Sequence, residues 1–345
     1  MADTAKELPP HAQLVQMGNA YWVSRMIYVA AELGLADRLA GGPKTADELA
    51  GATKSHPRAL YRLMRALAGL GVFTQDADGK FGLTELGHAL RAEAPGHARA
   101  TILALSSQWA WKVWEEFPYS VATGRTATEK VLGMGAFEYL AQNPELASNF
   151  SKAMVGIHGG EIPSLVAAYD FSPFATVVDV GGATGSLISG VCKTYPTVKG
   201  VLYDMSHVVK EAPPVLASHG VADRVRIEGG SFFERVPTGG DAYVLSHIIH
   251  DWSEEQCLTI LGNVKKAMNP GGKLLIVEMV LPEGSEFHPG KMLDLVMLTI
   301  PGGEERTPNE YAALLAKAGF QMTRVVPTES AVSVVEAVTA RPSGQ

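Results

Sequence analysis

At about 150 residues per domain, the 345-residue chain accommodates two domains, or one large domain with a helical appendage. Its 46% apolar and 19% charged residues allow a large core and exclude a chain disordered as a whole. The net charge of −7 speaks against nucleic acid or an anionic membrane as partner, and two cysteines, Cys192 and Cys257, make neither a disulfide framework nor a C-x-x-C zinc motif.

The opening Met1-Ala-Asp-Thr-Ala-Lys-Glu-Leu-Pro-Pro10 has no apolar run behind a basic cluster, so no signal peptide is expected. No stretch reaches the ~18 uncharged apolar residues that cross a bilayer, and a soluble, cytoplasmic protein is expected. Residues 12–105 then read mainly as helices. Tyr21, Met26, Val29, Ala30, Leu33 and Leu35 form a wide apolar stripe, ended by Gly41-Gly42-Pro43. Thr45-Ala-Asp-Glu48 has the capping-box pattern, and a further helix runs from about Pro57 to Leu70, where Gly71 stops it. Val72 to Thr84 reads as two short strands about the Asp78-Gly79 turn. Helices followed by a hairpin give a winged-helix order. Lys54, Arg58, Arg62 and Arg65 share one helix face and invite a DNA-binding reading, but acidic and basic residues nearly balance over residues 1–100. A solvated or intersubunit face accounts for them equally simply.

Residues 106–168 read as further helices carrying Trp109, Trp111, Trp114, Phe117, Phe137, Tyr139, Phe150 and Met154, which suit a core or the wall of a site for a flat aromatic ligand. After Asp170 the rhythm changes. Strand-like runs at Thr176–Val180, Val198–Tyr203, Val225–Glu228, Asp241–Ser246 and Lys273–Val280 are mostly separated by helices of 10–15 residues. Such alternation predicts a parallel, doubly wound sheet. Phe320 to Thr339 holds two strand-like runs with no helix between them, so one antiparallel strand is expected at the end.

Chemistry-bearing residues fall at the strand ends. Asp179-Val-Gly181-Gly182-Ala-Thr-Gly185 leaves a strand and opens a helix; it does not fit G-x-G-x-x-G, but does fit Asp-x-Gly-x-(small)-x-Gly, the first loop of S-adenosylmethionine (SAM) methyltransferases. Asp204 ends the next strand, where an acid can accept both ribose hydroxyls. Gly229-Gly-Ser-Phe-Phe233 then brings a hydroxyl and aromatic faces to the place where an adenine would lie. The fourth strand ends in Ser246-His247-Ile-Ile-His250-Asp251-Trp252, followed by the helix cap Ser253-Glu-Glu-Gln256. His247 and His250 stand at i, i+3 with no third metal ligand evident. At this sheet edge a histidine is also placed to act as general base, with Glu278 and either Glu304 or Glu305 as candidates to orient its imidazole.

Together these motifs resemble the small-molecule O-methyltransferases of the caffeate and hydroxyindole type, with their bacterial phenazine and polyketide relatives. The resemblance runs from the winged-helix region to Val338. It rests on Val-Asp-Val-Gly-Gly-Ala-Thr-Gly185, His250-Asp-Trp-Ser253 and Gly302-Gly-Glu-Glu-Arg-Thr307, in family order and spacing. It implies an α/β class I methyltransferase fold: a winged-helix-like dimerisation domain (1–105), a helical connector lining the acceptor pocket (106–168) and a SAM-binding Rossmann-like domain (169–345). By the same resemblance the donor is held by Asp179, Gly181, Gly182, Gly185, Asp204, Met205, Ser231, Phe232, Ser246 and Trp252. His250 matches the base and Glu278 and Glu305 its flanking acids, while Phe150, Met154 and Met297 match acceptor positions. A homodimer and no metal are implied as well. Ala183, Ser231 and Ser246 depart from the plant pattern of glycine, aspartate and lysine, and the loop before Gly302 is one residue shorter than in plant enzymes.

The implied reaction moves the methyl of SAM to a hydroxyl of a flat phenolic or heteroaromatic compound that no residue identifies. A phenol of pKa ~10 facing a histidine of ~6.5 requires proton removal coupled to attack. Two rivals remain at this level: a SAM-binding relative with a non-methylating biosynthetic activity, and a winged-helix DNA-binding regulator.

Overall fold

The computed structural model describes residues 8–341; the first seven residues of the opening stretch, and residues 342–345, lie outside the described residues. Within the described residues the chain forms two compact units. One comprises the residues up to Lys112 together with Leu140–Ile157, and the other Val113–Tyr139 together with the residues from His158 onward. The stretch 106–168, expected as a connector, is thus divided between the two units.

The first unit is helical, as its patterning predicts. Thr45 caps the helix Ala46–Thr53 with a complete capping box, Glu48 bonding back to the Thr45 backbone. The next helix, Pro57–Gly69, buries Leu60, Met64 and Leu67, its three apolar positions at helical spacing. Two short strands, β1 (Phe73–Gln75) and β2 (Phe81–Leu83), pair antiparallel, with Phe73 and Phe81 closing the same core.

The second unit is built on a seven-stranded sheet. Its strands are β3 (Thr176–Val180), β4 (Lys199–Asp204), β5 (Val225–Gly229), β6 (Gly240–Ser246), β7 (Met268–Glu278), β8 (Phe320–Pro327) and β9 (Ser333–Thr339), in the order β5-β4-β3-β6-β7-β9-β8. Pairings from β5 through β7 are parallel, and β9 is antiparallel to both β7 and β8. Apolar clusters cover both faces, which is why β3 and β6 read as nearly continuous apolar runs rather than alternating ones.

The chain moves from β3 outward to β5, then returns to place β6 on the other side of β3. The carboxyl ends of β3 and β6 therefore diverge at a topological switch point, where sheets of this kind leave a ligand crevice. The helix expected after β3 begins at Ser186, directly behind the glycine turn.

Candidate active site at the carboxyl ends of the parallel strands

The glycine turn after β3 is shaped by its surroundings. Gly181 has φ +76°, its N–H donates to the Tyr203 carbonyl at 2.7 Å, and a Cβ there would collide with the Ile248 side chain. Glycine is thus required where β3 and the loop after β6 approach each other. Gly182 packs against the Asp179 carboxylate, and Gly185 caps the following helix in the left-handed region. Ala183 also adopts a left-handed backbone, at φ +49°.

Two carboxylates face this turn. Asp204, ending β4, accepts the Ala183 N–H at 2.8 Å through Oδ2 and the Met205 N–H at 2.6 Å through Oδ1. Burial raises its pKa against these bonds. Asp179 is buried with Oδ2 lacking a partner, and burial pushes its carboxyl up to about 7, with nearby Asp204 adding to the rise. An orphaned buried acceptor beside a tight glycine cradle fits a ligand that brings hydrogen-bond donors of its own.

The aromatic wall is compact. Trp252 meets Phe233 edge-on at 4.8 Å and Phe232 at 5.9 Å, and stacks on Phe137 at 5.3 Å. Ser231 uses its Oγ to accept the Phe233 N–H at 3.3 Å, so it shapes this loop as well as offering a hydroxyl. Ser246 ends β6, half-buried, while Met205 is exposed just past Asp204.

His250 sits in a short 3-10 turn, Ile249–Asp251, immediately beyond β6, and is buried. Its Nδ1 lies 2.6 Å from Glu305 Oε1, and its Nε2 lies 3.7 Å from Asp251 Oδ1. The two glutamates left open by sequence are now distinguished: Glu305 is buried on the ring, whereas Glu304 is exposed and pairs with Arg306 at 3.3 Å. Glu278 plays a different part from the one expected. Rather than the ring, its Oε1 accepts the His250 backbone N–H at 3.0 Å, and its other oxygen accepts the Tyr311 hydroxyl.

Burial, the largest influence on the His250 imidazole, disfavours its charged form, but Asp251, Glu305 and Glu278 outweigh it and push the pKa up to about 10. Burial pushes Asp251 up to about 6 despite the neighbouring His250.

Sequence reasoning missed what delivers Glu305. Gly303 lies so close that a Cβ would collide with the His250 carbonyl, and Asp294 Oδ1 accepts the Glu305 N–H at 2.9 Å. Met297 is buried on the helix Pro289–Thr299, and its carbonyl accepts the N–H groups of Gly302 and Gly303 at 2.8 and 3.2 Å. Phe150 and Met154 belong to the helical unit, on the helix Pro144–His158.

His247 has other partners than His250. Its φ is +53°, and its Nε2 lies 2.8 Å from Glu161 Oε2, an acid that the sequence did not single out. His158 Nδ1 lies 3.3 Å from the same oxygen.

Comparison with known proteins places this geometry. An O-methyltransferase domain model matches residues 114–321, and an O-methyltransferase dimerisation domain model matches residues 15–93. A phenazine O-methyltransferase of Lysobacter antibioticus is 43% identical over 333 residues, covering 96% of this chain and 97% of that protein. The solved mitomycin 7-O-methyltransferase is 34% identical with a TM-score of 0.90, over 96% of this chain and 98% of that one. An O-methyltransferase from neocarzinostatin biosynthesis, solved with SAM and 2-hydroxy-5-methyl naphthoic acid, is 33% identical with a TM-score of 0.81, over 92% and 96%. Glycine turn, strand-end carboxylates and buried His250–Glu305 pair thus stand in a chain that belongs to the SAM-dependent O-methyltransferase family.

Proposed function

We propose that this protein transfers a methyl group from SAM to a hydroxyl of a small, flat, polycyclic aromatic or heteroaromatic natural product, with His250 as general base. SAM, when bound, supplies a methyl on a cationic sulfur leaving group. Asp204 would hold its ribose with the oxygen capacity left over from the Ala183 and Met205 N–H groups, and Asp179 and the glycine turn would hold its amino-acid end. Trp252, Phe232 and Ser231 would line the adenine side, with Ser246 nearby. Phenazine, mitomycin and naphthoate relatives support a fused-ring acceptor. Met297 is the residue we assign to its pocket, and the region matching the dimerisation model would join two copies of the chain.

The buried His250–Glu305 pair carries this proposal. Glu305 on Nδ1 fixes the tautomer that leaves Nε2 to take the acceptor proton, and stabilises the imidazolium that results. Asp251, 3.7 Å from Nε2, adds to that stabilisation. Positioning donor and acceptor in contact supplies much of the remaining acceleration.

Incubation with methyl-labelled SAM and a panel of phenols, naphthols and hydroxyphenazines should give an O-methylated product. His250→Ala should lose about 10²- to 10⁴-fold in turnover while keeping the melting-temperature rise that the demethylated donor confers. Asp204→Ala should lose that rise. Near-native turnover by His250→Ala on an ordinary phenol would transfer the catalytic credit to proximity alone.

A further inference from the structure

Three atoms of His250 are held from one short stretch of chain, and the last hold is indirect. Its ring Nδ1 lies 2.6 Å from Glu305 Oε1, and its carbonyl accepts the Glu304 N–H at 2.9 Å. Its own N–H donates to Glu278 Oε1 at 3.0 Å, and Glu278 in turn accepts the Tyr311 hydroxyl through its other oxygen. Residues 304–311 thus hold the ring and the carbonyl directly, and the N–H through Glu278.

The helix that carries Tyr311, Pro308–Lys317, is fixed at its start by a complete capping box. The Thr307 N–H donates to Glu310 Oε2 at 2.8 Å, and the Glu310 N–H donates to Thr307 Oγ1 at 3.4 Å. Tyr311 is fully buried in one of the apolar clusters that cover the sheet. Burial and the neighbouring Glu278 hold its hydroxyl well above the ordinary tyrosine pKa, so it stays an O–H donor throughout the neutral range. Glu278 is fully buried too, and both its hydrogen bonds come from neutral donors. The buried Arg306 guanidinium turns to the Glu304 carboxylate at 3.3 Å instead. An apolar side chain of similar size would close this core at less cost than a carboxylate on neutral donors. What the carboxylate adds is an acceptor on each side, one for the His250 backbone and one for Tyr311.

We propose that Tyr311 is a positioning residue for methyl transfer: through Glu278 it fixes the backbone of the His250 turn and so keeps the imidazole in its working place. The role rests on His250 as the general base. It separates the two glutamates by task, since Glu305 sets the tautomer of the ring whereas Glu278 and Tyr311 set where the ring stands. A misplacement of about 1 Å in a reacting geometry can cost about 100-fold in rate. A hydroxyl two hydrogen bonds from the His250 backbone therefore has leverage on turnover without touching the reacting atoms.

The test is made on the full-length protein with Tyr311→Phe, which removes the hydroxyl and keeps the ring in the core. The acceptor is whichever phenol, naphthol or hydroxyphenazine the native protein turns over fastest with SAM. On it kcat should fall about 10- to 100-fold, while KM for SAM stays within about twofold. The melting-temperature rise given by the demethylated donor should persist. In protein labelled with nitrogen-15 histidine, the His250 N–H is identified by its loss in His250→Ala. That N–H should exchange with solvent at least about 10-fold faster in Tyr311→Phe. Added to Glu278→Met, which keeps the volume and removes both acceptors, Tyr311→Phe should cost less than about twofold more in kcat. Near-native kcat, unchanged exchange, or a full further loss beside Glu278→Met would each overturn the role and leave the base assignment standing. Near-native turnover by His250→Ala would remove that assignment, and this role of Tyr311 with it.

Discussion

His250 sets the residue-scale chemistry through a contest of effects. Burial opposes its charged form, yet three carboxylates around it win and hold its pKa at about 10, well above the ordinary histidine value. At neutral pH the ring is therefore mostly imidazolium, and the base form grows as pH rises. The sign for stability follows: the charged ring stabilises the fold fully below pH ~6.5, and this contribution fades as pH climbs through about 10. For catalysis, kcat/KM is expected to rise through the alkaline range. Glu305→Gln removes one of the carboxylates, so its rising limb should move to lower pH while its plateau falls, the ring having lost its tautomer control. A pH–rate profile of both proteins checks this; a flat native profile between pH 7 and 9.5 would remove the imidazole as the titrating group.

Secondary-structure elements meet through buried polar contacts that no single element contains. Glu278, at the end of β7, ties the His250 turn to Tyr311 of the helix Pro308–Lys317, so the turn is anchored by its backbone and not only by its ring. At the far side of the sheet, Glu336 of β9 is buried and accepts the Tyr169 hydroxyl at 2.6 Å, Thr323 Oγ1 at 2.7 Å, Lys273 Nζ at 2.9 Å and an Arg324 nitrogen at 3.0 Å. Burial would raise this carboxyl, but the donors hold it down at about 2. Its stabilising effect is thus complete above the ordinary carboxylate pKa and fades as pH falls toward about 2. Glu336→Gln should destabilise the protein by roughly 1.5–3 kcal/mol at pH 7. The gap from native in urea denaturation should narrow as pH is lowered from 5 toward 2. A gap that did not change with pH would mean that charge on Glu336 contributes nothing.

On the scale of the whole molecule, the first helices leave large apolar groups in solvent. Leu14, Val15, Met17, Tyr21, Trp22 and Val23 are all exposed, all but Leu14 within the region that matches the dimerisation model. Exposed apolar groups in such number mark an interface. A homodimer burying more than about 2,000 Å² is expected, and light scattering at micromolar concentration should return twice the chain mass. A monomeric mass would refute it. Trp22→Asp, which sets a charge on that face, should shift the equilibrium toward monomer without unfolding the helix Tyr21–Glu32.

Local chemistry was legible in the sequence because its causes are local. The capping boxes at Thr45 and Ser253, the hairpin at β1–β2, the strand runs from β3 to β7 and the glycine turn after β3 all follow from residues within a few positions of one another. The antiparallel strand near the end was also legible, since no helix separates β8 from β9. What the fold alone decided were meetings across long stretches of chain. Glu305 rather than Glu304 faces His250 across 55 residues, Glu278 takes the backbone and not the ring, and Glu161 meets His247 across 86. Neither spacing nor periodicity encodes such meetings. They arise where packing of the sheet, its crossover helices and the Gly302–Gly303 turn brings strand ends together, and where burial makes each polar group take whatever partner lies within reach.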